Sequence, residues 1–201
     1  MTTATATDHH GIEPAESPLT PESWGKLGMW NFLAADAMTF GGLLAGYGAL
    51  RYGDPTWPVP SSILGIPLTA AMTFLLIVTS VTMVEGLAGI RQGNQTKCVR
   101  FLLATVLGGA MFLGLQAYEW THLIQHGQSI SRDNFGATFF ILTGFHGLHV
   151  FSGVVYLSVI AIRAALGKYS AENNNEVEIA GLYWHFVDLV WILVFTFVYL
   201  V

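Results

Sequence analysis

Polar residues fall along this chain in short clusters, and between the clusters run long apolar stretches: Leu27–Leu50, Ile63–Ile90, Phe101–Ile124, Phe135–Ile162 and Ile179–Val201. The breaks "RYGDPTWPVPSS", "RQGNQTKCVR", "HGQSISRDN" and "RAALGKYSAENNNEVE" hold the Gly, Pro, Asn and charged residues that end helices and make turns. Roughly 20 apolar residues, rising about 1.5 Å each in a helix, cross about 30 Å of hydrocarbon. The pattern therefore predicts an all-α integral membrane protein, a bundle of five transmembrane helices. A membrane β-barrel does not fit, because the runs are too long and do not alternate with a period of two.

Composition agrees. Of 201 residues, 53% are hydrophobic and 10% charged, with a mean hydropathy of +0.53; soluble domains carry about a quarter charged residues. The net charge of −5 is concentrated in the N-terminal tail and the last loop, and no basic patch points to nucleic acid. A single cysteine, Cys98, excludes a disulfide within the chain and any multi-cysteine zinc or iron–sulfur site. Residues 1–23 are polar and Pro-containing, without the basic start and apolar core of a signal peptide, and are expected to form a retained, disordered tail. His9 and His10 lie in it and give no specific metal site. Residues 24–201 are then one five-helix domain.

The cations are unevenly placed. Lys26, Arg91, Lys97, Arg100, Arg163 and Lys168 fall at one side of the predicted spans, and Arg51 and Arg132 at the other. Cytoplasmic loops carry the excess of Lys and Arg, which puts the N-terminus in the cytoplasm and the C-terminus outside. Small residues at four-residue spacing, Gly42 with Gly46 and Ala110 with Gly114, are candidates for close helix packing.

Ionisable groups inside hydrocarbon are costly and mark either function or helix contacts. They are Asp36, Glu85, Glu119, His122, His146, His149, His185 and Asp188. Glu119/His122, His146/His149 and His185/Asp188 are three residues apart, so each pair shares a helix face. At about 1.5 Å per residue, Asp36 and Asp188 each lie nine residues from the inner ends of their spans, a depth of roughly 14 Å. With His146 and His149 they form the deep set, and His185 is one turn shallower than Asp188. Matched depth predicts that Asp36 meets the His185/Asp188 face. Glu119 and His122 fall near the outer surface, within reach of water, and Glu85 is placed to be solvated or to reach Arg91.

Several chemistries compete for these residues. "EWTH" has the ExxH form of di-iron carboxylate bundles, but such sites need two of these motifs and two further glutamates. A bis-histidine haem would pair His146 or His149 with His185, yet His149 and His185 differ in depth by roughly 10 Å. A proton relay through Asp36 or His185/Asp188 is open, as is hydrogen bonding among these groups that only fixes the bundle. No nucleophile with a base and an orienting partner stands out, and no Gly-rich phosphate loop is present.

Longer motifs narrow the choice. "ATFFILTGFHGLHVFSG", followed by "EIAGLYWHFVDLVWILVFTFVYL", resembles the signature of subunit III of haem–copper terminal oxidases. "LGGAMFLGLQAYEW" resembles that family's LQxxEY segment, and "KLGMWNFLAADAMTFGGLL" its first membrane segment in the five-helix form found in bacterial cytochrome c and quinol oxidases. The resemblance runs from about Lys26 to Val201. It implies a multi-pass subunit of the bacterial inner membrane that carries no haem, copper or other cofactor of its own and is not itself catalytic. Such a subunit packs directly on subunit I, alongside subunit II and a small subunit IV. It holds structural phospholipid and supports proton uptake, while subunits I and II carry the haems and copper that reduce O2 to water and pump protons.

Residue by residue, Asp36 aligns with an acidic position that is often Glu, His146 and His149 with the family's paired histidines, and His185, Asp188 and Trp191 with its WHFxDxxW. Asp36, His146, His149, His185, Asp188 and Glu119 form the set implied in buried polar contacts and proton uptake. The resemblance further implies lipid contacts at Arg163, His149 and Trp191; Arg163 lies fourteen residues along from His149, about four turns on the same face. Glu85 matches no family position. Two alternatives remain: a stand-alone membrane cytochrome holding haem through its histidines, and a homologous accessory subunit of nitric-oxide reductase.

Overall fold

The computed structural model describes residues 24–201; the segment 1–23, with His9, His10 and the expected tail, lies outside the described residues. The elements are α1 (Trp24–Gly53), a short α2 (Pro60–Ile63), α3 (Ile66–Arg91), α4 (Gln95–Gln125), α5 (Asn134–Ala165) and α6 (Asn175–Val194), which runs on into a π-helical segment, Phe195–Leu200. Five of these helices are long and apolar enough to cross a membrane, and no strand occurs among the described residues. The predicted all-α, five-span architecture holds.

The helix ends differ from the apolar runs for local reasons. The second span does not begin at Ile63: the chain turns at Leu64 and Gly65, and α3 starts at Ile66 with Pro67 in its first turn, where a missing N–H costs nothing. α4 begins six residues before its apolar run, because the Asn94 side chain accepts from Lys97 N–H at 2.9 Å and caps it. Asp133 caps α5 in the same way, accepting from Gly136 N–H at 2.6 Å. α3, α4 and α5 each stop at a glycine with positive φ, at Gly93, Gly127 and Gly167, the left-handed terminator that a side chain disfavours.

α3, α4 and α5 pack as successive antiparallel neighbours, α6 packs on both α3 and α5, and α1 leans on α5 and α6. Half of the apolar window of α6 is buried within the chain against 22% for α1, so α6 is the centre of the bundle and α1 its edge. Lipid tails are as apolar as leucine, so what holds helices together in a bilayer is close contact and interhelical hydrogen bonding. Both concentrate on α6. Trp184, 1% exposed, sits against Gly109 and Gly153, and a Cβ at Gly109 would run into the indole. Its Nε1–H donates to Thr79 at 3.1 Å, and one face along, Trp191 Nε1–H donates to Thr73 at 2.9 Å. The expected small-residue contacts are elsewhere: a Cβ at Gly42, Gly46 or Gly114 would meet nothing within 4 Å, so these faces look outward. Spacing alone does not say which way a helix is turned.

At one end of the bundle, ion pairs gather the helix termini: Lys26 and Arg91 on Glu178 (3.1 and 2.9 Å), Lys97 on Glu85 (2.7 Å) and Arg163 on Glu176 (2.7 Å). This is the cationic end. Glu85 therefore pairs with Lys97, one short turn away, and is neither solvated alone nor joined to Arg91.

Candidate functional site

The deepest carboxylate of the edge helix is Asp36, 8% exposed. Its Oδ2 lies 3.1 Å from His149 Nε2 on α5. Oδ2 has no hydrogen bond beside this, and the approach is off the N–H axis, so the contact is that of an ion pair. The other ring nitrogen, Nδ1, lies 2.8 Å from the carbonyl of Phe145. A carbonyl only accepts, so Nδ1 carries a proton, and Nε2 is the nitrogen turned to the carboxyl. Written as neutral acid beside neutral imidazole, or as carboxylate beside imidazolium, the pair has no net charge. That is how an acid and a base tolerate hydrocarbon together when either alone would not.

The surroundings hold this geometry. Phe40 stands edge-on to His149 with centroids 5.2 Å apart, and Phe145 at 4.7 Å. Tyr183 O–H reaches the His149 carbonyl at 3.1 Å and the Ser152 hydroxyl at 2.6 Å. Beside it, Met29, Phe32, Ser152, Tyr156 and Tyr183 line an open groove of about 350 Å³ between α1 and the α5/α6 face.

The depth argument for Asp36 is overturned in one respect. Asp36 turns toward α5 and meets His149, while His185 and Asp188 turn toward α3, where His185 Nδ1 lies 2.5 Å from Ser80 Oγ. Equal depth is necessary for contact, but helix rotation chooses the partner. The histidine pair also divides. His146 is fully buried with both nitrogens unpartnered, held by Trp191 (centroids 4.8 Å), Phe112 (5.7 Å) and Phe40 (6.4 Å). It packs as a ring, and only His149 forms the polar contact expected of both.

Glu119 is not near water. It is 4% exposed and accepts from Thr69 O–H at 2.9 Å and Tyr199 O–H at 3.0 Å, because the π-helical end of α6 folds Tyr199 over it. Its sequence companion His122 faces out and stacks on His126, with centroids 4.2 Å apart. Trp191, implied as a lipid contact, has no exposed surface, so lipid does not touch it. Arg163 is half-exposed at the cationic end, paired with Glu176 and set over the Tyr169 ring at 5.5 Å. Burial, and next the hydrogen bond to Glu176, push the Tyr169 phenol well above its ordinary value.

Sequence reasoning missed the neutral partners: Thr69, Thr73, Thr79, Ser80, Tyr183 and Tyr199. One signal was available. Thr73 and Thr79 are six residues apart and Trp184 and Trp191 seven, both close to two turns, spacings that set hydroxyls on one helix opposite indoles on the next. Among the described residues no group of three or more His, Cys, Asp or Glu converges as a metal site.

Comparison with known proteins follows the same outline. The family described as cytochrome c oxidase subunit III matches residues 26–201. A probable quinol oxidase subunit 3 of Staphylococcus saprophyticus is 34% identical over 177 residues, covering 88% of each chain. A probable cytochrome c oxidase subunit 3 of Nocardia farcinica is 34% identical across the whole of both chains, and the quinol oxidase subunit 3 of Bacillus subtilis is similar over 87% of this chain and 85% of its own. The match takes in every membrane-crossing helix, and the chain belongs to the cytochrome c oxidase subunit III family, as a multi-pass protein of the bacterial inner membrane.

Proposed function

We propose that this chain is the non-redox subunit III of a respiratory haem–copper oxidase. It stabilises the catalytic subunit I, holds structural phospholipid and supports proton uptake, while subunits I and II carry out O2 reduction and proton pumping. The observation that carries this is the Asp36–His149 pair, an acid–base contact between an edge helix and the core inside a membrane bundle. The cationic end faces the cytoplasm, following the excess of Lys and Arg there. At that end Arg163 is placed for a lipid phosphate, and the groove beside Tyr183 suits an acyl chain.

Two measurements test this. Asp36→Ala in the assembled oxidase is expected to leave early turnover intact and to shorten the working life of the enzyme; unchanged inactivation over many turnovers refutes the role given to the pair. Purified away from subunit I, the chain is expected to show no Soret absorption. A Soret band that persists replaces this proposal with a haem-binding cytochrome.

A further inference from the structure

Hydrocarbon has neither donors nor acceptors, so a polar atom that meets the membrane-facing surface at mid-depth lacks a partner unless another protein brings one. Among the described residues, one such place lies outside the Asp36–His149 site. Ser80 lies 14 residues into α3 and 11 from its end, and His185 and Asp188 lie 10 and 13 residues into the 26-residue span of α6. All three are at the middle of their helices. Ser80 Oγ lies 2.5 Å from His185 Nδ1, and the same hydroxyl faces the Asp188 carboxylate.

The Ser80 hydroxyl bridges the two groups, and His185 Nδ1 is used in that bridge while Nε2 takes no part in it. That nitrogen has no partner among the described residues, and unlike the nitrogens of His146 it is not sealed inside the bundle. Asp188 Oδ1 is an acceptor without a donor. The surface around this cluster is aliphatic, with Ile77, Val81 and Val84 on α3 and Leu189 and Ile192 on α6 all exposed.

The opposite membrane face is different. There Leu107, Met111, Leu148 and Phe151 are exposed, and the mid-depth polar group, Gln116, turns inward to donate to the Thr143 carbonyl at 2.7 Å. The one unpartnered polar atom described there, Trp120 Nε1, is buried and lies five residues from the end of α4, so lipid at mid-depth meets no stranded polar atom on that face. At His185 it meets one.

We infer that the Ser80–His185–Asp188 surface of α3 and α6 seats a transmembrane helix of a partner subunit, which brings a hydroxyl or amide side chain to hydrogen-bond His185 Nε2 within the membrane. The inference rests on the subunit III function proposed above and specifies which face of the chain docks.

The test uses the assembled oxidase in native membranes. Leu189→Cys and Leu148→Cys, each carrying a thiol-linked photo-cross-linker, probe the two faces, with Cys98 buried and unreactive. Leu189→Cys is expected to join the chain to another subunit of the complex, and Leu148→Cys to give lipid adducts only. His185→Leu is expected to lower the amount of this chain that co-purifies with the catalytic subunit about fivefold, with helix content unchanged, and His185→Gln, which keeps a hydrogen-bonding group, to restore it. Cross-linking from Leu148→Cys but not Leu189→Cys overturns the docking face and leaves the subunit III function standing. A cross-link from Leu189→Cys to a second copy of this chain overturns the choice of partner. No cross-link from either face, with the chain purifying apart from any oxidase, overturns the function itself.

Discussion

Two carboxylates are almost equally buried in this bundle and are satisfied in opposite ways. Glu119, 4% exposed, is met by two hydroxyls, from Thr69 on α3 and Tyr199 at the end of α6; Asp36, 8% exposed, is met by one imidazole, from His149 on α5. The first belongs to a seam of neutral partners that continues through Thr73–Trp191 and Thr79–Trp184. Each contact there has a donor and an acceptor already assigned, and none depends on where a mobile proton sits. The second is a single acid–base contact between the edge helix and the core. The seam suits structure; the pair suits a contact that can respond to its surroundings.

The comparison fails or sharpens at specific residues. The largest effect is expected at Trp191→Ala, which empties a fully buried indole site and removes the donor to Thr73. A loss of about 3–5 kcal/mol in equilibrium unfolding in detergent is expected; a loss below 1 kcal/mol (on the order of a surface change) removes the seam from its central role. Glu119→Leu comes next, at about 2–3 kcal/mol, because the buried Tyr199 hydroxyl loses its acceptor and Thr69 keeps only the Gly65 carbonyl. Glu119→Gln recovers most of that, since an amide oxygen still accepts, and equal loss in both variants shows that charge rather than hydrogen bonding matters there.

Asp36→Leu is expected to cost about 1 kcal/mol, in the range of single interhelical polar contacts in membranes. The effect is local. Hydrogen exchange accelerates along α1 and stays unchanged in α3 and α6, and uniform acceleration across all helices makes the pair another part of the seam. The smallest effect lies in the loop after α1. Asp54 accepts from the Thr56 hydroxyl at 2.6 Å and from its N–H at 2.9 Å, and these hold its carboxyl below the ordinary value of 3.8. A depressed carboxylate contributes order that is present above 3.8 and lost as pH falls through the folded value. Thr56→Val should move the Asp54 titration upward when followed by NMR, with no change at the membrane-embedded groups.

Most of the fold was legible in the sequence, and much of the site was not. The apolar runs gave all five spans because a bilayer demands length and apolarity of every crossing segment. Asn94, Asp133 and the glycines at 93, 127 and 167 carry their cap and stop chemistry locally. The acidic and imidazole groups that needed partners were also visible, because each is anomalous in hydrocarbon. Their partners were not. Asp36 was placed by depth against His185 and Asp188, and Glu119 against water, since depth is a function of residue number while rotation about the helix axis is set by packing.

What the sequence by itself determined is therefore the number of spans, their caps, the clustering of cations at one end and the family. Only the tertiary structure decided that Asp36 pairs with His149, that His146 is a caged ring, that Tyr199 closes over Glu119 through a π-helical turn, and that His185 keeps one nitrogen at the surface. The physical reason is common to all four. Helix formation is written in local composition, but the choice among neighbours at one depth depends on how the indoles of Trp184 and Trp191 fit the faces opposite them, and that fit exists only once the helices are assembled.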